Sequence, residues 1–389
     1  MSSRLSGVLA LKDFEPLAQR MLPRPIHGYV AGAAEDNSSL RANRAGFDDF
    51  ALVPRTLVNV SGRSQRQSLF GVTYESPFGI APMGLAALSG YRGDIALAEA
   101  AHATGIPAVL SGSSLIPMEE VAAAAPGTWF QAYLPGDLGR IFALLDRVRS
   151  SGFETLVVTV DIPVGANREN NIRTGFSTPL RPSLRLAMDG LTHPRWLAGT
   201  FARTLLRHGM PHFENSFAER GAPILSSNVL RDFSARDHFD WSHVARIRQA
   251  WRGPLVIKGL LSAADAAQAA RQGIDGVIVS NHGGRQLDGA VAPMKVLEHI
   301  VDAAGSMPVM VDSGFRRGSD VLKALALGAR MVFVGRPFNH ALAVAGRAGV
   351  THGIKLLQSE IDRNMAMLGV ASCSDIDRTY LFKQHPASS

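Results

Sequence analysis

Cysteine and long apolar runs are what this sequence most clearly lacks. Cys373 is the single cysteine among 389 residues, which excludes a disulfide framework and a zinc or iron–sulfur site with cysteine ligands. No stretch approaches the roughly 18 uncharged apolar residues that span a bilayer. Residues 1–10 lack the basic start and apolar core of a signal peptide. We therefore expect no bound metal, no membrane-spanning helix and a cytoplasmic location.

Basic residues exceed acidic ones, giving a formal net charge of +7 and a sequence pI of about 9.9. The arginines are scattered, and no zinc-finger, helix-turn-helix or RNA-binding spacing occurs, so no nucleic-acid partner is expected. An anionic substrate, an anionic cofactor or an acidic membrane surface explains the charge equally well. The charge leaves the choice between these three partners open.

Short apolar β-rich runs recur along the chain, at residues 78–81, 107–110, 128–131, 155–160, 255–258, 276–279, 308–311 and 331–334. Helical patterns lie between several of them, at residues 94–103, 138–150, 263–272 and 319–327, with Asp94 suited to a helix start and Gly105 to a stop. Eight strand–helix units predict an α/β protein with the TIM (β/α)8 barrel fold. A doubly wound sheet is the alternative, but the Gly-rich dinucleotide turn after the first strand is missing.

One domain, residues 1–389, is therefore predicted, with two additions to the barrel. Residues 1–75 are expected to form an N-terminal helical cap with a short β-rich lead-in. Residues 163–254 are too long for an ordinary connection and are expected to cover the barrel mouth or dock elsewhere. Within them, residues 191–208 form a basic amphipathic stretch, which fits either a solvated helix packed on the barrel or a helix on a membrane or partner surface.

Polar residues cluster where the predicted strands end, and in a TIM barrel those ends form the active site. They are Met83 with Gly84, Ser111, Gln131 with Tyr133, Thr159 with Asp161, Lys258, Ser280 to His282, Asp312 with Ser313, and Gly335 with Arg336. One such residue could cap a helix or reach solvent. Their convergence on one face of the barrel predicts a shared functional site.

Two segments suggest the chemistry of that site. Residues 280–288 (SNHGGRQLD) follow the sixth strand and place His282, a residue that exchanges protons near neutral pH, three positions from Arg285, which can grip a carboxylate with two hydrogen bonds. Residues 312–320 (DSGFRRGSD) follow the seventh strand, and Gly335 with Arg336 follows the eighth. Barrels often bind phosphate at this corner, so we predict a phosphorylated ligand here.

These motifs, together with residues 323–329 (KALALGA) and 258–263 (KGLLSA), resemble the FMN-dependent L-2-hydroxy-acid oxidases and dehydrogenases: glycolate oxidase, L-lactate dehydrogenase and (S)-mandelate dehydrogenase. The resemblance covers nearly the whole chain and is weakest at residues 179–240. The 258–263 segment is most similar to mandelate dehydrogenases. The resemblance implies an FMN enzyme that oxidises a 2-hydroxy acid to the 2-keto acid, passing two electrons to flavin N5.

The resemblance also implies roles for individual residues. His282 would be the base, oriented by Asp161, with Lys258 facing the flavin N1–O2 edge and Tyr133 contacting the substrate oxygen. Tyr29, Arg168 and Arg285 would bind the substrate carboxylate, and Gly84 would border the substrate. The residues that would contact FMN are Pro82, Met83, Gly84, Ser111, Gln131, Thr159, Lys258, Ser280, Asp312, Gly314, Arg316, Gly335 and Arg336.

Two positions depart from many relatives. Met83 replaces a hydroxyl residue, which leaves a backbone contact to the flavin there. Gly84 stands where small-substrate members often carry Ala, which leaves room for a bulkier acid such as mandelate, although a glycine in a strand-end turn also serves backbone geometry.

The sequence leaves more than one electron acceptor and more than one partner compatible with these motifs. The basic stretch at residues 191–208 favours contact with the inner face of the cytoplasmic membrane and a quinone acceptor, with oxygen as the alternative. Relatives are often homo-oligomers, so a homo-oligomer is expected. Two other classes remain: a different FMN barrel enzyme, such as an isomerase or a nitronate-oxidising enzyme, against which His282 and Arg285 argue, and a non-catalytic protein binding acidic surfaces.

Overall fold

Eight parallel strands form the centre of the computed structural model, which describes residues 5–181, 183–228 and 236–384. They are β1 (Phe78–Ile80), β2 (Val109–Ser111), β3 (Trp129–Ala132), β4 (Leu156–Thr159), β5 (Leu255–Leu260), β6 (Gly276–Val279), β7 (Val309–Val311) and β8 (Met331–Val334). Each strand pairs with its neighbours in chain order, and β8 pairs with β1. A bridge between Ile80 and Ala108 closes the ring. The predicted TIM barrel is confirmed.

Helices surround this ring in the order a TIM barrel requires. They are α1 (Gly93–Ala103), α2 (Met118–Ala124), α3 (Leu138–Ser150), α4 (Trp241–Ala250), α5 (Ala263–Arg271), α6 (Pro293–Ala304), α7 (Gly318–Ala326) and α8 (Arg336–Leu368), with a further turn at Ala86–Ser89. The expected helix start at Asp94 is wrong. The helix already begins at Gly93, where a Cβ would lie 2.4 Å from the Ala86 carbonyl oxygen, and Asp94 is buried in its first turn.

The N-terminal residues cover both ends of the barrel. Helices Phe14–Met21, Arg24–Ala31 and Ser38–Ala45 lie on the side of α8 and the mouth, and strand Phe50–Leu52 pairs with Leu381–Lys383. A hairpin of Gln67–Leu69 and Val72–Tyr74 closes the opposite end. Its Leu69 packs into the barrel interior with Ala81, Val109, Trp129, Val157, Val256, Ile278, Met310, Met331 and Phe333. The interior is therefore a packed core and leaves only the mouth open.

The long segment between β4 and β5 folds into short helices, Glu169–Thr174, Leu184–Leu191, Pro194–Trp196, Leu197–Ala202 and Arg203–His208. Trp196 Nε1 donates to the Leu88 carbonyl oxygen at 2.7 Å, so the basic stretch packs on the barrel wall. Four apolar residues of the helices Leu184–Leu191 and Arg203–His208 nevertheless stay exposed: Leu184, Met188, Leu191 and Leu206. The end of the predicted insertion is the regular barrel helix α4. Within the described ranges, no helix is long and apolar enough to cross a membrane.

Candidate active site

A cavity of about 600 Å³ opens at the carboxyl ends of the strands, a size typical of ligand sites. It brings together most of the residues singled out in the sequence: Tyr29, Pro82, Met83, Gly84, Tyr133, Arg168, Lys258, His282, Arg285, Asp312, Gly314, Arg316, Gly335 and Arg336. Five others, Ser111, Gln131, Thr159, Asp161 and Ser280, lie at the same strand ends without belonging to the lining. Asp161 and Ser280 contact the lining residues His282 and Lys258, whereas Ser111 bonds to Gln131.

His282 follows β6 in a left-handed backbone conformation with φ of 56°. Its Nδ1 lies 2.9 Å from Asp161 Oδ1, and its backbone N–H donates to Ser280 Oγ at 2.9 Å. Gly259 makes room for Asp161, because a Cβ there would lie 2.7 Å from the aspartate side chain. Two loops are thus shaped to bring the imidazole and the carboxylate together.

The electrostatics of this pair suit a base. Burial lowers the pKa of His282, although Asp161 opposes the shift. Burial would raise the pKa of Asp161, but the charges of His282 and Lys258 outweigh it and the pKa is lowered. The two directions favour a carboxylate beside a neutral imidazole, and in that form the imidazole donates its Nδ1–H to Asp161. The remaining nitrogen, Nε2, can accept a proton from a ligand.

Lys258 supplies a buried positive charge beside the pair. Its Nζ lies 3.1 Å from Asp312 Oδ2 and donates to Ser280 Oγ at 2.9 Å. Burial alone would lower the pKa of Lys258, but Asp312 and Asp161 outweigh burial and the pKa is raised. Asp312 also accepts from Ser313 Oγ at 2.8 Å. The ammonium is fixed and charged, so it can stabilise negative charge on a ring bound above it.

Two arginines and a tyrosine form a second part of the cavity. Arg285 Nη1 donates to the carbonyl oxygens of Tyr29 at 2.7 Å and Gly32 at 2.8 Å, and its guanidinium lies 4.9 Å from the Tyr29 ring. Arg168 Nε donates to the Arg285 carbonyl oxygen at 3.1 Å. Burial lowers the pKa of Arg285 to about 10. The Arg285 guanidinium stays charged at neutral pH, and Arg168 and Arg285 can bind a carboxylate together.

The opposite end of the cavity matches the predicted phosphate corner, since α7 and α8 both begin there. Gly314 has φ of +93°, and a Cβ on it would lie 2.6 Å from the Asn43 carbonyl oxygen. Arg336 donates to the carbonyl oxygens of Gly283 at 2.9 Å and Gly32 at 2.8 Å. Burial lowers the pKa of Arg316 to about 10. Two confined cations beside two helix N-termini are groups that can hold a phosphate dianion.

The strand ends between these regions carry buried polar atoms that need a ligand. Among the described residues, Gln131 Nε2 and Thr159 Oγ1 are buried without a hydrogen-bond partner. Gln131 Oε1 accepts from Ser111 Oγ at 3.2 Å. Such atoms cost free energy unless something bonds to them. A flat ring with polar edges, joined to a phosphate, meets this demand, so the residues present fit FMN.

The long segment after β4 adds cavity residues that the sequence analysis missed, among them Phe176, Phe213 and Arg236. Phe176 packs on Tyr29 with ring centroids 4.5 Å apart. None lies at a strand end or in a motif. The only sequence signal was that the segment is long and rich in aromatic residues and arginine, which does not tell which of them face the mouth.

Comparisons with known proteins agree with this geometry, which defines an FMN-binding barrel enzyme. A family profile described as FMN-dependent dehydrogenase matches residues 18–383. The chain is 38% identical to (S)-mandelate dehydrogenase from Pseudomonas putida, over 98% of this chain and 95% of that protein. It is 39% identical to L-lactate dehydrogenase from Pectobacterium atrosepticum, over 95% of each. The chain belongs to the FMN-dependent dehydrogenase family.

Solved structures give the same answer. One, described as the monotopic membrane protein (S)-mandelate dehydrogenase, superposes with a TM-score of 0.89 at 37% identity, covering 97% of this chain and all of that one. A mandelate oxidase variant superposes with a TM-score of 0.79 at 33% sequence identity, covering 97% of this chain and 98% of that one. The predicted family, the FMN cofactor and FMN-dependent hydroxy-acid oxidoreductase activity are therefore confirmed. The roles of single residues stay predictions.

Proposed function

We propose that this chain oxidises an L-2-hydroxy acid to the 2-keto acid and that His282 is the base. The observation that carries the proposal is the 2.9 Å contact between His282 Nδ1 and Asp161 Oδ1. It leaves Nε2 to take a proton from the acid, and the carboxylate then stabilises the imidazolium. The two electrons that leave the substrate would go to FMN, which supplies the electron acceptor when it is bound.

The arginines define how the acid is held. Arg168 and Arg285, with Tyr29, bind the carboxylate, and Tyr133 contacts the substrate oxygen. The rings of Tyr133 and His282 lie 6.4 Å apart and are nearly parallel. Burial raises the pKa of Tyr133, so the phenol stays protonated and can donate a hydrogen bond. The carboxylate thus fixes the reacting carbon within reach of the base.

FMN would lie across the mouth between these residues and the phosphate corner. Gly314, Arg316, Gly335 and Arg336 would hold its phosphate. Ser111, Gln131 and Thr159 would bond to the polar edge of the ring, and Lys258 would face the edge where charge accumulates. Pro82, Met83 and Gly84 would border the ring, Ser280 would act through Lys258, and Asp312 would keep that lysine charged.

The cavity favours a bulky side chain on the acid. Phe176 and Phe213 line it, and Gly84 keeps its floor open next to Tyr29. Two relatives act, by their names, on mandelate and on lactate. We place this chain with the mandelate-type enzymes because aromatic walls and a missing Cβ suit a ring better than a methyl group.

We further propose a quinone as the electron acceptor and a peripheral membrane contact at the cytoplasmic face. Leu184, Met188, Leu191 and Leu206 are all more than half exposed, and two of them, Leu191 and Leu206, lie in the basic stretch at residues 191–208. Apolar residues on a basic helical segment bind anionic lipid surfaces. Oxygen is the alternative acceptor. We also propose that the protein forms a homo-oligomer, without assigning a number of subunits.

An anaerobic absorbance titration tests the function directly. The purified protein should be yellow, and (S)-mandelate should bleach its flavin faster than L-lactate or glycolate. Admitting oxygen then separates an oxidase, which regains its colour quickly, from a dehydrogenase that needs added quinone. A yellow protein that no 2-hydroxy acid bleaches would refute the proposed reaction. A colourless protein that binds only acidic surfaces would restore the non-catalytic alternative.

A further inference from the structure

Helix Ser38–Ala45 of the N-terminal cap is fixed to the loop that carries the proposed base. At the start of the helix, the Asp288 carboxylate accepts from two backbone N–H groups, at 3.1 and 2.7 Å. Further along, the side-chain amides of Asn43 and Asn281 donate to each other, at 2.8 and 2.7 Å. Asp288 and Asn281 both belong to the loop of His282, so the helix stands on a rigid support beside the cavity.

Arg44, in the last turn of that helix, reaches a second loop, which follows β7 and leads into α7. Its Nη1 donates to the Gly314 carbonyl oxygen at 2.6 Å and to Asp320 Oδ2 at 2.7 Å. The same Asp320 oxygen accepts from the backbone N–H groups of Arg316 at 2.8 Å and Arg317 at 3.0 Å. Arg44 therefore holds one end of this loop directly and the other end through Asp320.

Asp320 is a buried carboxylate, and its burial makes the contact with Arg44 matter. The Asp320 side chain is 5% exposed, whereas that of Arg44 is 41% exposed. A buried carboxylate needs donors that replace the water it loses on folding. Without Arg44, Asp320 would keep its two backbone donors and would carry an uncompensated negative charge in the loop where a phosphate dianion has to bind. Arg44 thus supports this loop by hydrogen bonds and by neutralising that charge.

We propose that Arg44 is a positioning residue for the phosphate of FMN. The inference rests on the proposed place of that phosphate, at Gly314, Arg316, Gly335 and Arg336. Arg44 lies outside the cavity lining and acts through the loop after β7, which it fixes in the conformation that receives the phosphate. A loop that is ordered in advance loses less conformational entropy when the ligand binds, so Arg44 raises the affinity for FMN.

Riboflavin is the matched ligand for the test, because it has the ring and the ribityl chain of FMN but no phosphate. The Kd of each flavin is measured by fluorescence, for FMN by dilution of the holoenzyme and for riboflavin after exchange of the cofactor. Arg44→Gln should raise the Kd of FMN by about tenfold and leave the Kd of riboflavin nearly unchanged. Neither measurement needs turnover, so the result is independent of the proposed oxidation.

Arg44→Lys keeps the positive charge but lacks the planar fork of the guanidinium. It should therefore restore part of the preference for FMN over riboflavin. It also carries the test if Arg44→Gln does not fold, with a smaller expected loss of that preference. In an Asp320→Asn background, Arg44→Gln should lower the preference much less than in the wild type, because the charge that Arg44 neutralises is already absent.

Arg147→Gln is the matched control for a purely structural effect. Arg147 likewise joins separate elements through one side chain: its Nε lies 2.8 Å from Glu119 Oε1, and its Nη1 donates to the Glu214 carbonyl oxygen at 2.7 Å. It lies on α3, outside the cavity lining. Its loss should lower stability and leave the ratio of the two flavin Kd values unchanged. If Arg44→Gln behaves in the same way, Arg44 is a structural residue and the proposal is wrong.

Arg336→Gln separates this inference from the proposed phosphate site itself. Arg336 lines the cavity at the phosphate corner, so its loss should weaken the binding of FMN and spare that of riboflavin. A wild-type protein that binds both flavins equally, or an Arg336→Gln variant with the wild-type ratio, would refute the phosphate corner and the role of Arg44 together. A lower ratio in Arg336→Gln with an unchanged ratio in Arg44→Gln would refute the role of Arg44 alone.

Discussion

The two ends of the barrel are built from the same eight strands and have opposite chemistry. From the amino ends inward, Phe70, Trp129 and Phe333 form a chain of rings with centroids 5.6 and 5.4 Å apart, and Phe333 reaches the lining of the cavity. At the carboxyl ends, His282, Lys258 and their carboxylate partners are buried around an open cavity. A strand of four residues can therefore serve stability at its start and chemistry at its end, which is the division of labour expected of a TIM barrel.

Both ends also use left-handed backbone, for different reasons. At the closed end, Phe70 has φ of 52° and Gly71 has φ of 80°, the conformation of a tight two-residue hairpin turn. The turn directs Phe70 onto Trp129. At the mouth, His282 and Ser313 have φ of 56° and 79°, and their side chains make the hydrogen bonds of the site. Side-chain packing stabilises the left-handed backbone of the hairpin turn at the closed end. Hydrogen bonds to functional groups stabilise the left-handed residues at the mouth.

The largest effect should come from removing the base at the mouth. His282→Asn keeps a residue that tolerates positive φ and removes the proton acceptor. The rate of flavin reduction by the hydroxy acid should fall by about 10²- to 10⁴-fold, measured by anaerobic stopped flow. FMN content and thermal stability serve as controls and should match the wild type. A rate within tenfold of the wild type would exclude His282 as the base.

At the closed end, Phe70→Ala should cost stability and leave the chemistry intact. Loss of the contact with Trp129 should lower the free energy of unfolding by about 2–4 kcal/mol, measured by urea denaturation of the FMN-bound protein. Phe70→Leu is the milder companion variant and should lose less. Flavin reduction by the folded variant should stay close to the wild-type rate. A large loss in the rate of flavin reduction with an unchanged free energy of unfolding would contradict the assignment of stability to the closed end and chemistry to the mouth.

The regular part of this molecule was readable from sequence because buried parallel strands are continuously apolar. The strands Gly276–Val279 and Met331–Val334 and the helix Leu138–Ser150 have the predicted bounds. Asp94 shows the limit of such reading: a capping residue type was placed at the helix start, but the helix begins at Gly93, which packs closely against the Ala86 carbonyl oxygen. Nothing local in the sequence encodes that tertiary contact.

The residues of the candidate site also fall into those that the sequence could predict and those that it could not. His282 and Asp161 lie 121 positions apart, yet both follow strands, so barrel geometry predicts that they meet. Arg236 follows no strand and belongs to no motif, so only its fold places it over Tyr133. The pairing of Lys258 with Asp312 also needed coordinates, because a strand end fixes the edge at which a side chain lies but not its partner.

Asp161→Asn tests how the charge of Asp161 sets the pKa of the proposed base, His282. Burial lowers the pKa of His282 and Asp161 opposes that shift. The neutral imidazole is the active form, so the rate rises with pH through the pKa of His282. Without the carboxylate charge that pKa falls further, so this rise should move to lower pH. The weaker base should lower the plateau by about ten- to a hundredfold. A rise that stays in place or moves to higher pH would contradict the pairing.

Gly84→Ala should have the smallest effect and acts on selectivity alone. The added Cβ would lie 3.1 Å from Ser113 Cβ and 3.4 Å from the Tyr29 hydroxyl, so the cavity narrows without a severe clash. The preference for mandelate over lactate, as a ratio of kcat/KM values, should fall by about tenfold. Gly335→Ala is the companion variant at the phosphate end of the cavity. Its added Cβ would lie 3.7 Å from the Ala81 Cβ. The affinity for FMN should change in this variant, and the mandelate-to-lactate ratio of kcat/KM values should stay the same. If both variants alter the ratio equally, the substrate and phosphate ends of the cavity are not separate, and Gly84 has no special part in selecting the acid.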